Sequence, residues 1–248
     1  MPRIVFTTWG SLGDLHPFLA LAIELKRRGH TVVVASVPAW RENVERAGVG
    51  FSPIRPDVPT DEMATREIIR RILDANGGPE YLFTQVLGPV MREVYDDTLA
   101  AVAGADLLVT HQFPQTAPIV AQQTGIPWVS AIVAPLGFLS AWDPPTPPQA
   151  PAMRALMAVH PIAGRAFNRL ARVVTHRWMR PVYRLRAELG LPHGGHPLFE
   201  GQHAPGLVLA LFSPLFGEKQ PDYPAQTVVT GFPFYDAAPT RPPGICAL

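Results

Sequence analysis

The stretch Thr7-Thr8-Trp9-Gly10-Ser11-Leu12-Gly13-Asp14-Leu15-His16-Pro17 constrains the fold of this chain more than any other. A short apolar run, Arg3-Ile4-Val5-Phe6-Thr7, precedes it. Its continuous hydrophobicity predicts a strand buried on both faces, as in a parallel sheet. Residues 18–28 follow, with apolar positions at helical spacing, cations in the last turn and Gly29 as a stop. A glycine-bearing connection between such a strand and helix falls at the carboxyl end of the strands. Doubly wound sheets bind ligands there. Gly10 and Gly13 permit a sharp turn and close backbone approach. Asp14 and His16 place two proton-handling groups beside a helix N-terminus, where an aspartate also serves as a cap.

The rest of the chain repeats the same alternation. Residues 31–36 are a valine-rich strand, 39–47 a short helix stopped by Gly48, and 51–54 a third strand. A β-α-β-α-β start predicts parallel strands joined by right-handed crossovers. Residues 61–73 read as a helix, broken at Asn76-Gly77-Gly78-Pro79. Residues 81–102 read as a long helix with a kink or break at Pro89. Strands are predicted at 107–110 and 128–133, with a helix over 116–124 between them. A proline-rich loop over 135–151 carries Phe138 and Trp142. Residues 155–189 read as helical, interrupted near His160-Pro161 and again by Pro181, with a basic face. Strands at 207–212 and 227–230 complete the sheet. The fold class is therefore α/β, a Rossmann-like parallel β-sheet flanked by helices, with 1–230 as one domain.

Composition removes several classes of function. With 248 residues, 47% hydrophobic and 17% charged, the chain can bury one sizeable core. A net charge of +1 gives no electrostatic reason to expect nucleic acid. One cysteine, Cys246, excludes an internal disulfide and a cysteine-based zinc site, and suits a reducing, cytoplasmic setting. No leader segment is expected, and no apolar run is long enough to span a bilayer. There is no G-x-x-x-x-G-K-[ST] loop, no G-x-S-x-G, and Gly10-Ser11-Leu12-Gly13 lacks the third glycine of a dinucleotide fingerprint. His193-Gly194-Gly195-His196 reads as a loop, without the neighbouring ligands a metal site needs. No metal is expected.

The segment Gly10-Ser11-Leu12-Gly13-Asp14-Leu15-His16-Pro17, running into Leu19-Ala20-Leu21-Ala22 and Arg28-Gly29-His30-Thr31-Val32, resembles the opening of the N-terminal domain of GT-B glycosyltransferases. The resemblance is to the macrolide, glycopeptide and sterol group, which uses nucleotide sugars, and it extends over nearly the whole chain. It implies the acceptor-binding half of an enzyme that moves a sugar, with inversion, onto a hydroxyl of a small apolar acceptor. Many such enzymes use the histidine of an H-x-x-P pattern as base. Here Asp14 stands at that position, as in the glycopeptide enzymes, and His16 is the second candidate.

Relatives with a histidine base carry a partner aspartate after the fourth strand. This chain has His111-Gln112-Phe113 there. Two readings follow: Asp14 works alone, or His111 assists it. The acceptor pocket is expected among Trp9, Gly10, Ser11, Gly13, Phe83, His111, Phe113, Leu136, Phe138 and Trp142, with packing as the alternative role of the aromatic residues. No cofactor is implied. The co-substrate is a nucleotide-diphosphate sugar, a UDP- or TDP-sugar, held mainly by a C-terminal donor domain.

Residues 231–248 read as the start of the linker to that domain, and no second run of βα units follows. The donor domain is thus expected to be absent from this chain or supplied by a partner chain, and the chain alone to transfer no sugar. The rival expectation is a non-catalytic small-molecule-binding or partner module from a truncated glycosyltransferase.

Overall fold

The computed structural model describes residues 1–57, 62–144 and 161–236. Its centre is a seven-stranded sheet in the order β3-β2-β1-β4-β5-β6-β7. The strands are β1 (Arg3–Thr7), β2 (Thr31–Ser36), β3 (Gly50–Pro53), β4 (Leu107–His111), β5 (Trp128–Ile132), β6 (Val208–Ala210) and β7 (Thr227–Val229). Every neighbouring pair is parallel. The order reverses direction at β1, so β2 and β4 flank it. This is the crevice where a doubly wound sheet offers its ligand site.

Alternation along β1 divides the core between the two faces. Ile4 and Phe6 point to the layer formed by helix α1 (Leu12–Arg27), which buries Leu15, Phe18, Leu19 and Ala22. Phe6 and Phe18 meet edge to face at 5.9 Å. Val5 points to the opposite layer, with α2 (Met91–Ala101) and α3 (Ala117–Thr124). Burying each such side chain contributes on the order of 1.5–3 kcal/mol.

Helix α1 begins six residues ahead of the amphipathic run that announces it. Ser11 is its N-cap: the Ser11 hydroxyl accepts from the Gly13 N–H, and the Asp14 carboxylate accepts from the Ser11 N–H. This reciprocal capping box winds Gly13, Asp14 and His16 into the helix. The connecting loop shrinks to Thr8–Gly10.

Two other helical expectations are redistributed. Residues 82–90 form a π-type turn (Leu82–Val86) and a 3-10 turn (Gly88–Val90) ahead of α2. Pro89 lacks a backbone donor, and a Cβ on Gly88 would clash with the Phe83 carbonyl. The basic region forms two helices. Pro181 sits in the first turn of the second of these, Arg180–Glu188, where proline suits a helix start, so the break falls just before it. Residues 145–160 of the predicted loop and helix, and Cys246, lie outside the described residues.

Candidate functional site

Register brings the site together. Thr7 of β1 lies beside Thr110 of β4, so the segments leaving the two strands, Thr8–Gly10 and His111–Phe113, are neighbours. Gly10 turns the chain at φ +134°. A Cβ there would fall on the Asp14 carboxylate. Thr8 Oγ1 donates to the Asp14 carbonyl at 3.2 Å. The Trp40 indole N–H donates to the Gly10 carbonyl at 3.1 Å, tying the loop after β2 to the loop after β1.

Among the described residues, Asp14 is hydrogen-bonded through one oxygen and not through the other. Its Oδ2 accepts from the Ser11 N–H at 2.7 Å and the Ser11 hydroxyl at 2.9 Å. Its Oδ1 lies 3.5 Å from His111 Nε2. The Asp14 side chain is 18% exposed, whereas that of His111 is fully buried. The His111 ring is edge-on to Phe18 (5.7 Å) and Phe113 (4.9 Å). Neither ring nitrogen makes a hydrogen bond among the described residues. Burial pushes the His111 pKa down to about 4, against the pull of the Asp14 carboxylate and the Trp9 carbonyl. The imidazole is therefore neutral at neutral pH. It adds no cation to the site.

Trp9 extends the cluster, edge-on to Phe113 at 6.3 Å. With Thr8, Leu87, Met91, Val94 and Phe113 it lines a narrow, mostly apolar pocket. Arg55 is the charged residue of its wall among the described residues. The guanidinium is locked on Asp97, Nε to Oδ2 at 2.9 Å and Nη2 to Oδ1 at 2.8 Å. That bonding holds the Asp97 carboxyl below the usual carboxylate range.

The structure thus gathers Trp9, Gly10, Ser11, Gly13, Asp14, His111 and Phe113 into one cluster. The remaining candidates stand elsewhere. His16 turns its ring to Tyr235 (5.1 Å). Phe83 is buried in the core beneath the sheet, as its packing alternative has it. Phe138 stacks on Tyr223 at 3.8 Å in a separate small core. The turn that carries it is drawn that way by Asp222, which accepts from the Ser140 hydroxyl (2.5 Å) and the Ala141 N–H (2.7 Å). Leu136, on the same turn, is exposed, and Trp142 lies beside Arg165 (6.0 Å). Trp40 and Tyr235 are site neighbours that sequence reasoning missed. The predicted adjacency of the first two strands was a signal for Trp40; nothing local pointed to Tyr235.

A seven-stranded parallel sheet flanked by helices, Rossmann-like in its order, matches the N-terminal domain of GT-B glycosyltransferases. Residues 4–95 match the glycosyltransferase family 28 N-terminal domain, and the chain carries that domain. It is 32% identical over 250 residues to O-mycaminosyltylonolide 6-deoxyallosyltransferase of Streptomyces fradiae, covering 97% of this chain and 56% of that protein. A sterol 3-beta-glucosyltransferase of Neurospora crassa is 27% identical over 244 residues, 94% of this chain and 14% of its own length. The chain therefore spans little more than half of the first relative and a small part of the second.

Among solved structures, the Streptomyces sp. SF2575 glycosyltransferase SsfS6, complexed with thymidine diphosphate, superposes with a TM-score of 0.51 at 20% identity. The match covers 92% of this chain and 52% of that one, and it establishes the shared fold.

Proposed function

We propose that this chain is the acceptor-binding half of an inverting glycosyltransferase. In this reading residues 1–230 hold a small apolar acceptor and 231–248 open the linker to a donor-binding domain. Asp14 is the base. Its Oδ1 takes the proton of the acceptor hydroxyl. The acceptor oxygen bonds to the anomeric carbon as the bond from that carbon to the diphosphate breaks, and the nucleotide diphosphate departs with the electron pair.

The observation that carries the reading is the placement of Asp14. Ser11 engages one carboxylate oxygen and leaves the other beside a buried, neutral histidine, at the carboxyl ends of the two central strands. A base must reach the reacting hydroxyl within hydrogen-bond distance, and Oδ1 is the oxygen left available to do so. Ser11 fixes the position of the carboxylate, and the His111 ring, backed by Phe113, stands 3.5 Å from its other oxygen. This arrangement favours His111 assisting Asp14 over Asp14 working alone. Trp9 and Phe113 offer flat apolar surface to the acceptor. The donor is a TDP- or UDP-sugar. The thymidine diphosphate bound by the SsfS6 relative supports that choice. In this reading the second domain holds the diphosphate and stabilises its departing charge, a large electrostatic contribution. The chain by itself binds acceptor without turning over.

The test uses the purified chain. Titration with a panel of polyketides, sterols and flavonoids should give a saturable tryptophan fluorescence response, with affinity roughly micromolar or weaker. Incubation with UDP- and TDP-sugars and the same panel should give no glycoside. Glycoside formation, or tight stoichiometric nucleotide binding by this chain, would place the donor site here and overturn the division of labour.

A further inference from the structure

Helix α4 (Pro161–His176) has its polarity reversed. The side packed on the protein is small or polar. A Cβ on Gly164 would collide with the Ala141 carbonyl. Asn168 Nδ2 donates to the Leu139 carbonyl at 2.6 Å, and Thr175 Oγ1 meets His196 Nε2 at 3.2 Å. The side turned to solvent carries the apolar residues: Leu170 is 62% exposed and Val173 71%, with Val174 beside them. Arg165 and Arg169 flank this stripe, and the helix contains no acidic residue.

The third arginine, Arg172, is turned aside. It pairs with Glu200 at 2.5 Å and lies over the Phe199 ring at 4.1 Å. Arg169 makes no ion pair among the described residues. Trp142, 43% exposed, borders the same face next to Arg165. The whole chain has a net charge of only +1, so this concentration of unopposed cations is local.

We propose that the outer face of α4 docks on an anionic lipid surface, the helix lying in the plane of the interface. Apolar residues on one arc of a helix with arginines beside them are the pattern of interfacial helices. Binding there adds apolar insertion to attraction for anionic headgroups. Arginine stems lie along apolar surface while their charged heads reach the phosphates. A tryptophan at the border suits the headgroup level. At 16 residues, with arginines spaced along it, the helix is too short and too charged to span a bilayer, which needs about 20 apolar residues. A protein partner would need carboxylates set opposite each arginine. A bilayer needs only negative charge in any arrangement and apolar depth, and that is all the face specifies. Docking would bring the acceptor crevice to a phase in which apolar acceptors concentrate.

The test is co-sedimentation of the full 248-residue chain with vesicles of phosphatidylcholine alone and with about one-third phosphatidylglycerol. The expected result is binding to the anionic vesicles, a blue shift of tryptophan emission, and little binding to the neutral ones. Leu170→Glu with Val173→Glu should lower the partition coefficient at least tenfold. Arg165→Gln with Arg169→Gln should lower it severalfold and flatten its dependence on salt. These positions are exposed, and an unchanged circular-dichroism melt confirms that each variant folds. No binding of the parent chain to anionic vesicles, equal binding to neutral ones, or unchanged binding by the Glu variant would each overturn the proposal. The last outcome, with altered acceptor binding, would assign the face to acceptor contact instead.

Discussion

The Trp40 indole N–H donates to the carbonyl of Gly10 at 3.1 Å, a bond between residues 30 apart that ties the second βα unit to the turn of the first. Trp40→Phe removes the donor and keeps a ring in place. A typical hydrogen bond of this kind is worth about 1 kcal/mol. Urea unfolding of Trp40→Phe should show a loss of that size. Acceptor affinity should fall as well, because the turn carrying Trp9 loosens. Unchanged affinity at reduced stability would show that the bond supports the fold and not the site.

Gly10 is expected to tolerate no side chain. Its φ of +134° is strained for any L-residue, and a Cβ would occupy the space of the Asp14 carboxylate. Gly10→Ala should cost about 1–3 kcal/mol, the range for a residue forced into such a conformation. It should also displace Asp14 from Ser11. Amide exchange at Ser11 measures that displacement directly, since its N–H donates to Asp14.

Asp14→Asn separates the cap from the base. The asparagine keeps an oxygen that can accept from Ser11 but has no basicity. In a form of the enzyme complete with its donor domain, turnover should fall by about two to four orders of magnitude, with the melting curve little changed. Asp14→Ala should additionally lose about 1 kcal/mol of stability with the cap. If Asp14→Asn retains turnover and His16→Ala abolishes it, the base is His16.

Stability should decline as the solution is acidified from neutrality. His111 and His203 both have pKa values pushed down to about 4, chiefly by burial, from the ordinary value of 6.5. Between pH 6.5 and 4 the unfolded chain therefore binds more protons than the folded one, and stability rises with pH in that window. Each histidine contributes a slope of about 1 kcal/mol per pH unit. Denaturant midpoints measured at intervals from pH 7 to 4.5 should fall accordingly. His111→Gln should flatten that dependence, and a profile as steep as that of the parent chain would count against a neutral buried His111.

The sheet was legible because each strand is a short apolar run followed by turn residues, and parallel order follows from the helices between them. The start of α1 was less so. Ser11 and Asp14 spell a capping box, but the glycines around them also suit a loop, and only the reciprocal bonds decide between the two. The meeting of His111 and Asp14 depends on β4 lying beside β1, which the alternation implied without fixing the register. Phe138 and Trp142 read as pocket walls because they sit together in a proline-rich loop. The surroundings of Phe138 depend on Asp222 and Tyr223 from the far end of the chain, and Trp142 lies beside Arg165, contacts that no local pattern announces.

Asp14 divides its two oxygens: one closes the first helix, and the other lies 3.5 Å from the His111 ring, where the proposed function has it take the acceptor proton. The duties come under selection separately. If the proposed sugar transfer were given up in a descendant, the acid would still be needed to start its helix, and drift would be slow to remove it. The persistence of aspartate at this place in a lineage therefore records the demands of folding. The freedom of the residues around its unbonded oxygen to change is the better witness of whether the chemistry is still in use.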